Sequence, residues 1–250
     1  MIEEVFTEGN SLIHRLDPRV KVVVATLLSI VVAVSESFEA LVPAMGMSLL
    51  LVAFARINPR ELIKRVLIVN GFILFLWLFL PFSMNGRVVF SIGPLAASSE
   101  GIWYSTLITL KSNIILLTLM SLIATSSVFS LGRALDRLFL PSKLVILIFF
   151  TYRYIHVIYQ EYLRLLNAIK IRGFRPANNL HTYKTYAYLV GMVLVKSHDR
   201  GERVKAAMVC RGFKGKFYDL GEFYFGWKDI LVMVLMLLAV SIVAILEWWI

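Results

Sequence analysis

Two stretches of the chain repeat one arrangement of chemically capable residues, 39 positions apart (residue 164 to residue 203). In the first, Arg164, Ala168 and Arg172 are followed by Gly173 and Phe174; in the second, Arg203, Ala207 and Arg211 are followed by Gly212 and Phe213. Spacings of i, i+4 and i+8 set the two arginines and the alanine close to one stripe of an α-helix. A forked guanidinium suits carboxylates and backbone carbonyls in a groove, and alanine lets the helix lie close to that surface. The chemistry is docking. Ordinary capping explains part of the pattern, because the last turn of a helix favours a cation and glycine commonly ends it. Capping does not require Ala four residues earlier, nor the same arrangement twice. The pair therefore reads as two equivalent plugs, and two plugs predict two sockets.

To present these stripes the chain needs two long helices, expected over 143–172 and about 182–211. Each opens on an apolar run too short to span a bilayer, 144–150 and 186–195, and each ends basic. At 1.5 Å per residue such a helix is about 45 Å long. That predicts, for each, a start lying against a membrane domain and an end reaching a cytoplasmic partner. Tyr152-Arg153-Tyr154, His156, His198 and Asp199 argue against their crossing the membrane themselves.

Composition makes the rest of the chain a membrane domain. Of 250 residues, 59% are hydrophobic and 17% charged, with a mean hydropathy of +0.77. Soluble domains run nearer half apolar and a quarter charged. The fold class expected is all-α, a polytopic membrane protein with about five transmembrane helices and a cytoplasmic module of long helices. Asp17 is placed as an N-cap with Pro18 at the first helical position, so a first span starts there and runs to residue 35. A second covers 40–55, a third 66–86, a fourth about 102–129 with Lys111 inside it, and a fifth 230–246. Lys111 is expected to snorkel toward the outer interface. Residues 87–100 face away from the cytoplasm as a loop, partly re-entrant. The domains are then 1–129, 130–228 and 229–250.

The net charge of +10 takes its meaning from placement. Three basic residues precede or open the first span, four lie between the second and third, and sixteen lie between Arg133 and Lys216, whereas the outer loops hold Arg87 alone. Cytoplasmic loops retain Lys and Arg, so the N-terminus is expected inside and the C-terminus outside, with Trp248 and Trp249 in the outer interfacial belt. Glu3, Glu4, Glu8 and Asp17 do not make a signal-peptide start, and no cleaved targeting segment is expected.

Several chemistries lack their residues. There is no phosphate-binding loop ending in Gly-Lys-Ser or Gly-Lys-Thr. His14, His156, His181 and His198 show no metal-site spacing, and no Ser/His/Asp constellation or acidic pair within the apolar runs stands out. Cys210 is the single cysteine and excludes an internal disulfide. No catalytic residue, metal site or cofactor is expected. An autonomous channel or secondary carrier would need ionisable residues inside the spans and an inverted repeat; Lys111 alone qualifies, and the repeat here is cytoplasmic. A nucleic-acid binder would interleave aromatics on the basic face, and Phe174 and Phe213 are too few.

Four segments carry a resemblance to a known family: Ser11-Leu12-Ile13-His14-Arg15-Leu16-Asp17-Pro18-Arg19-Val20-Lys21, Thr151-Tyr152-Arg153-Tyr154-Ile155, and the two Arg-Gly endings, the second preceded by Ser197-His198-Asp199-Arg200-Gly201-Glu202-Arg203-Val204. The sequence resembles the transmembrane T component of energy-coupling factor transporters, in particular the cobalt-type CbiQ members. The resemblance implies a non-catalytic coupler in the prokaryotic cytoplasmic membrane, with two helix ends docked into grooves on two ATP-binding-cassette subunits. It also implies a membrane S component that binds the metal ion, with a small accessory membrane subunit as a further partner, and no nucleic acid. Closure of the ATPases would move the coupling helices and tilt the S component. The residues carrying this role would be Arg164, Ala168, Arg172 and Gly173, with Arg203, Ala207, Arg211 and Gly212. Ile171 and Cys210 stand where the wider family often has Ala before the final Arg, which bears on how closely these helices pack. Cobalt is the ion implied, with nickel as the alternative.

Overall fold

The computed structural model describes residues 9, 11–84, 87–92, 95–138, 140–215 and 226–248. The acidic start at Glu3, Glu4 and Glu8, and Lys216 and Trp249, lie outside them. The described helices are α1 (Leu12–Arg15), α2 (Pro18–Val34), α3 (Phe38–Ala55), α4 (Pro59–Ser83), α5 (Ser99–Leu122), α6 (Val128–Arg137), α7 (Ser142–Ile171), α8 (Leu180–Cys210) and α9 (Trp227–Trp248). The architecture is all-α apart from one short antiparallel hairpin, β1 (Val88–Ile92) with β2 (Leu95–Ser98), in which Val88 pairs with Ser98 and Ile92 with Leu95. Where a loop was expected, strand pairing satisfies the inward-facing backbone groups of the hairpin. Among the described residues, 9–134 with 226–248 form one compact unit and 135–215 another.

In the first unit the helix starts follow local chemistry. Asp17 accepts from the Arg19 amide at 2.9 Å with Pro18 in the first turn of α2; Asn58 does the same for α4 ahead of Pro59, accepting from the Arg60 amide at 3.2 Å. Ser98 Oγ accepts from the Gly101 amide at the head of α5. The core runs the length of the bundle in two clusters. Leu28 and Val32 of α2 meet Ala40 and Ala44 of α3, Ile114 of α5 and Val240 of α9 in one; Val24 and Ala25 meet Leu51, Ala55, Leu122 and Met236 in the other. The alanines let these helices approach closely where hydrocarbon solvent supplies no hydrophobic drive. By contrast α4 packs on α5 and leaves Leu67, Phe72, Leu74 and Leu78 exposed, as a lipid-facing helix should.

Polar contacts tie the ends of the bundle. Asp229, at the start of α9, accepts from the Asp17 amide at 3.3 Å. Glu247, at the other end of α9, accepts from the Glu36 amide at 2.7 Å and the Ser37 hydroxyl at 2.6 Å. Ser37 makes no cap of its own for α3, so a carboxylate eighteen residues along α9 from Asp229 sits at that helix N-terminus, where negative charge is favourable. Because its two ends meet the two ends of α2, α9 runs parallel to α2. Lys111 Nζ donates to the Ala33 carbonyl at 3.0 Å, in the last turn of α2, where orphan carbonyls favour a cation. Asn70 and Asn113 exchange two amide bonds, each 3.0 Å, between α4 and α5.

The fourth span ends sooner than expected. An uncharged run to residue 129 suggested one helix, yet α5 stops at Leu122 and α6 is separate. Thr125, Ser126 and Ser127 stand at the break, with the Thr125 hydroxyl donating to the Ser121 carbonyl at 2.9 Å and Ser127 Oγ accepting from the Ser130 amide at 3.2 Å; short hydroxyl side chains compete with the helix for its own backbone. Among the described residues, five helices are long and apolar enough to cross a membrane: α3, α4, α5, α7 and α9. The expectation had α2 in this set and α7 outside it. At 17 residues α2 is the shorter helix, but it lines both core clusters of the bundle.

Candidate functional site

The duplicated stripe lies on α7 and α8. Each helix ends the same way at the level of single hydrogen bonds. At α7 the Phe174 amide donates to the Ile169 carbonyl at 3.2 Å and the Gly173 amide to Lys170 at 3.0 Å; at α8 the Phe213 amide donates to Met208 at 3.0 Å and the Gly212 amide to Val209 at 2.9 Å. Gly173 has φ +83° and Gly212 φ +80°. This is the left-handed glycine closure that satisfies the last helix carbonyls by a pair of reversed bonds. Arg172 and Arg211 therefore occupy the same C-cap position with matching backbone angles, φ −75° and ψ 12° against φ −86° and ψ 8°.

All eight residues of the two stripes, Arg164, Ala168, Arg172, Gly173, Arg203, Ala207, Arg211 and Gly212, are exposed. The stripes are alike in backbone but not in side-chain commitments. Arg164 pairs with Glu161 at 3.4 Å, one turn earlier on α7. Within this unit the two Arg-Gly ends do not point the same way. Phe174, just past the first, packs edge-on against Tyr186 with ring centroids 5.8 Å apart and lies 6.3 Å from His181, near the start of α8. Met208 and Phe213, flanking the second, share a cleft with Phe150 and Tyr154 in the first half of α7. The helices are antiparallel, so the plugs lie at opposite ends of the pair. This corrects the picture in which both helices begin against one surface and end at another: the basic end of α8 lies along the apolar beginning of α7.

Between the two helices stands a charged residue that pattern reading missed. Glu161 is the sole acid of α7, and it accepts a hydrogen bond from Lys196 of α8 and approaches Arg200 at 3.9 Å. A single carboxylate in a strongly basic helix was the available signal. The turn between the helices is built by Asn179, which accepts from the Thr182 amide at 2.8 Å, and by Thr182, which accepts from the Ala177 amide at 3.1 Å. Arg153 of the Thr151–Ile155 segment lies with its guanidinium carbon 5.8 Å from the Tyr154 ring centroid, within the range of a cation–π contact. Cys210 is exposed and free. Among the described residues no group of three His, Cys, Asp or Glu side chains is placed to hold a metal ion.

A family model described as cobalt transport protein, CbiQ, matches residues 9–219, a range that takes in the bundle's first helices and both Arg-Gly ends. The chain belongs to the CbiQ family. It is similar to the energy-coupling factor transporter transmembrane protein EcfT of Streptococcus equi subsp. equi, 25% identical over 93% of this chain and 91% of the relative. It is also similar to proteins of that name from Brevibacillus brevis, 23% identical over 98% and 96%, and Thermosediminibacter oceani, 25% identical over 84% and 83%. With helices able to cross a membrane, this CbiQ-family chain is a membrane transport protein.

Proposed function

We propose that this chain is the non-catalytic transmembrane coupler of an energy-coupling factor importer for cobalt ions. The observation that carries the reading is the duplicated Arg-tipped closure, alike in its pair of reversed glycine and phenylalanine hydrogen bonds and set at opposite ends of the α7–α8 pair. Two such ends suit two ATP-binding-cassette subunits side by side, with Arg172 and Arg211 as the inserted forks, Gly173 and Gly212 as the turns that expose them, and Arg164, Ala168, Arg203 and Ala207 as the stripes behind. ATP hydrolysis is supplied in trans by those subunits. The helices of the 1–129 and 229–250 segments hold a membrane S component that binds the ion, with a small accessory membrane subunit beside it, and 130–228 is the cytoplasmic module. The N-terminus is inside and the C-terminus outside, as the distribution of Lys and Arg favours. The parallel course of α2 and α9 supports that reading, since it brings both helix starts to the side of the basic loops.

The description of the matching family supports cobalt; the relatives' names specify no ion, and nickel is the alternative substrate. The test is co-purification and uptake together. The tagged wild-type chain should bring down ATP-binding-cassette subunits and sustain uptake of radioactive cobalt in excess of nickel, and the Arg172→Ala, Arg211→Ala double variant should lose both. Removing a buried guanidinium from its docked partner costs about 2–5 kcal/mol. Full uptake by the double variant would refute the plugs; uptake of nickel alone would keep the coupler and change the ion.

A further inference from the structure

Between α7 and α8 lies a cleft of about 400 Å³, within the roughly 300–1,000 Å³ of small-molecule sites. Its walls are Phe150, Tyr154 and Ile158 of α7 and Val204 and Met208 of α8, and it includes none of the eight stripe residues. The lining is apolar apart from Thr151, Ser197, Arg200 and Lys205, and on a helix of 3.6 residues per turn the two cations flank the row of Ser197, Gly201, Val204 and Met208. The nearby carboxylate of α7 is already engaged: Glu161 holds Lys196 and Arg164 and lies 3.9 Å from Arg200. This stretch of α8 carries Lys196, Arg200, Arg203 and Lys205 against Asp199 and Glu202, so with Glu161 counted the mouth of the cleft keeps a net positive charge. The matching occupant is apolar along most of its length and anionic at one end.

We propose that this cleft binds one acyl chain of an anionic phospholipid, with the phosphate on Arg200 and Lys205 and the chain between the α7 and α8 walls. The proposal rests on the reading that these helices stand at the cytoplasmic membrane face. Anionic lipid is concentrated there, and basic pockets between helices on that side take its headgroups. The approach to the cleft suits a lipid as well, since Leu144, Leu147 and Ile155 of α7 are exposed and long cationic side chains reach a headgroup while their stems stay on apolar surface. The site is also asymmetric. Val204, Lys205, Met208, Val209 and Phe213 belong to the second repeat, so a bound chain braces the Arg211 end of the pair and leaves the Arg172 end untouched.

Gly201 provides a means of closing the site, because it lines the cleft and a Cβ placed on it would meet nothing within 4 Å. The experiment uses the full transporter complex purified from native membranes and reconstituted with phosphatidylglycerol carrying a photoactivatable acyl chain, against phosphatidylcholine with the same chain. Phosphatidylglycerol should label peptides within 150–158 and 197–213. The Arg200→Ala, Lys205→Ala variant should lower that labelling roughly thirtyfold while leaving the phosphatidylcholine signal unchanged, two surface cations being lost. Gly201→Trp should abolish labelling of these peptides by either lipid. Equal labelling by both lipids, labelling that survives Gly201→Trp, or a cleft filled by a partner protein and unlabelled would each overturn the proposal. ATPase co-purification is scored on the same preparations: ATPases retained without cleft labelling refutes the lipid site alone, and labelling without ATPases refutes the coupler alone.

Discussion

Lys21 Nζ lies 2.8 Å from Ser126 Oγ, joining the first turn of α2 to the break after α5, and the lysine is 1% exposed. Thr125 Oγ1 is a further acceptor at 3.5 Å. A buried ammonium is stable only while its donors are used. Ser126→Ala should destabilise the bundle by about 1–3 kcal/mol, lowering the thermal midpoint in detergent by about 2–4 °C per kcal/mol for a chain of this size. Lys21→Met, which removes the charge together with its need, should be milder than Lys21→Ala. A midpoint unmoved by Ser126→Ala would show that the bond contributes nothing.

Glu247 makes a different kind of tie, one helix supplying the missing cap of another. Without its carboxylate the amides of Glu36 and Ser37 lose their acceptor. Glu247→Ala should cost about 0.5–2 kcal/mol, the range for a lost N-cap. It should also speed hydrogen exchange at those two amides while leaving the Arg19 amide, capped by Asp17, unchanged. Equal protection in both proteins would mean that water replaces the carboxylate without loss.

How much of this was readable beforehand depended on whether the cause was local. The closures of α7 and α8 were legible within about two residues, because Gly173 and Gly212 end their helices by backbone conformation alone. So was the start of α2, where Asp17 and Pro18 act on the next turn. Glu247 and Lys21 were not, since each acts on a residue more than a hundred positions away in the chain. The end of α5 was missed because Thr125, Ser126 and Ser127 carry no charge and so leave the uncharged run unbroken. The directions of the two plugs were missed for another reason. Each helix alone reads as apolar first and basic last, and it takes contacts between them, Phe174 on Tyr186 and Phe150 and Tyr154 beside Met208 and Phe213, to show that the pair is antiparallel.

The glycines make a prediction separable from that for the arginines. At φ near +80° a Cβ is strained whatever the space around it, by about 1–2 kcal/mol, although nothing lies within 4 Å of either position. Gly173→Ala and Gly212→Ala should therefore fray the last turn and weaken ATPase co-purification with Arg172 and Arg211 still present. Asparagine, which tolerates this conformation, should restore most of it. If alanine and asparagine behave alike, the closure plays no part in presenting the arginines.

Glu161 should govern the angle between the helices more than their stability, because exposed ion pairs contribute little. In a Cys210→Ala background, nitroxide labels at Asn167 and Lys214 should give a distance distribution that broadens in Glu161→Gln. Exchanging the charges, Glu161→Lys with Lys196→Glu, should narrow it again. A distribution unchanged in the single variant would assign the crossing to apolar contacts such as those around Ile158 and Val204.

The opposite placement of the two Arg-Gly ends makes a prediction about the proposed docking of two ATPases. Phe174 lies against Tyr186, and α8 ends 24 residues further on at Cys210, which at 1.5 Å per residue sets the two ends about 36 Å apart along the axis. Ends so separated cannot share one groove. Arg172→Ala should then leave one ATPase docked through Arg211, and Arg211→Ala one docked through Arg172, with the double variant holding none; mass photometry of the purified complexes distinguishes the three. Loss of both subunits in either single variant would mean that the ATPases bind only as a preformed pair, so that removing one fork releases the whole. Retention of both in each single variant would place the docking energy elsewhere on the stripes, with Arg164 and Arg203 the next residues to truncate.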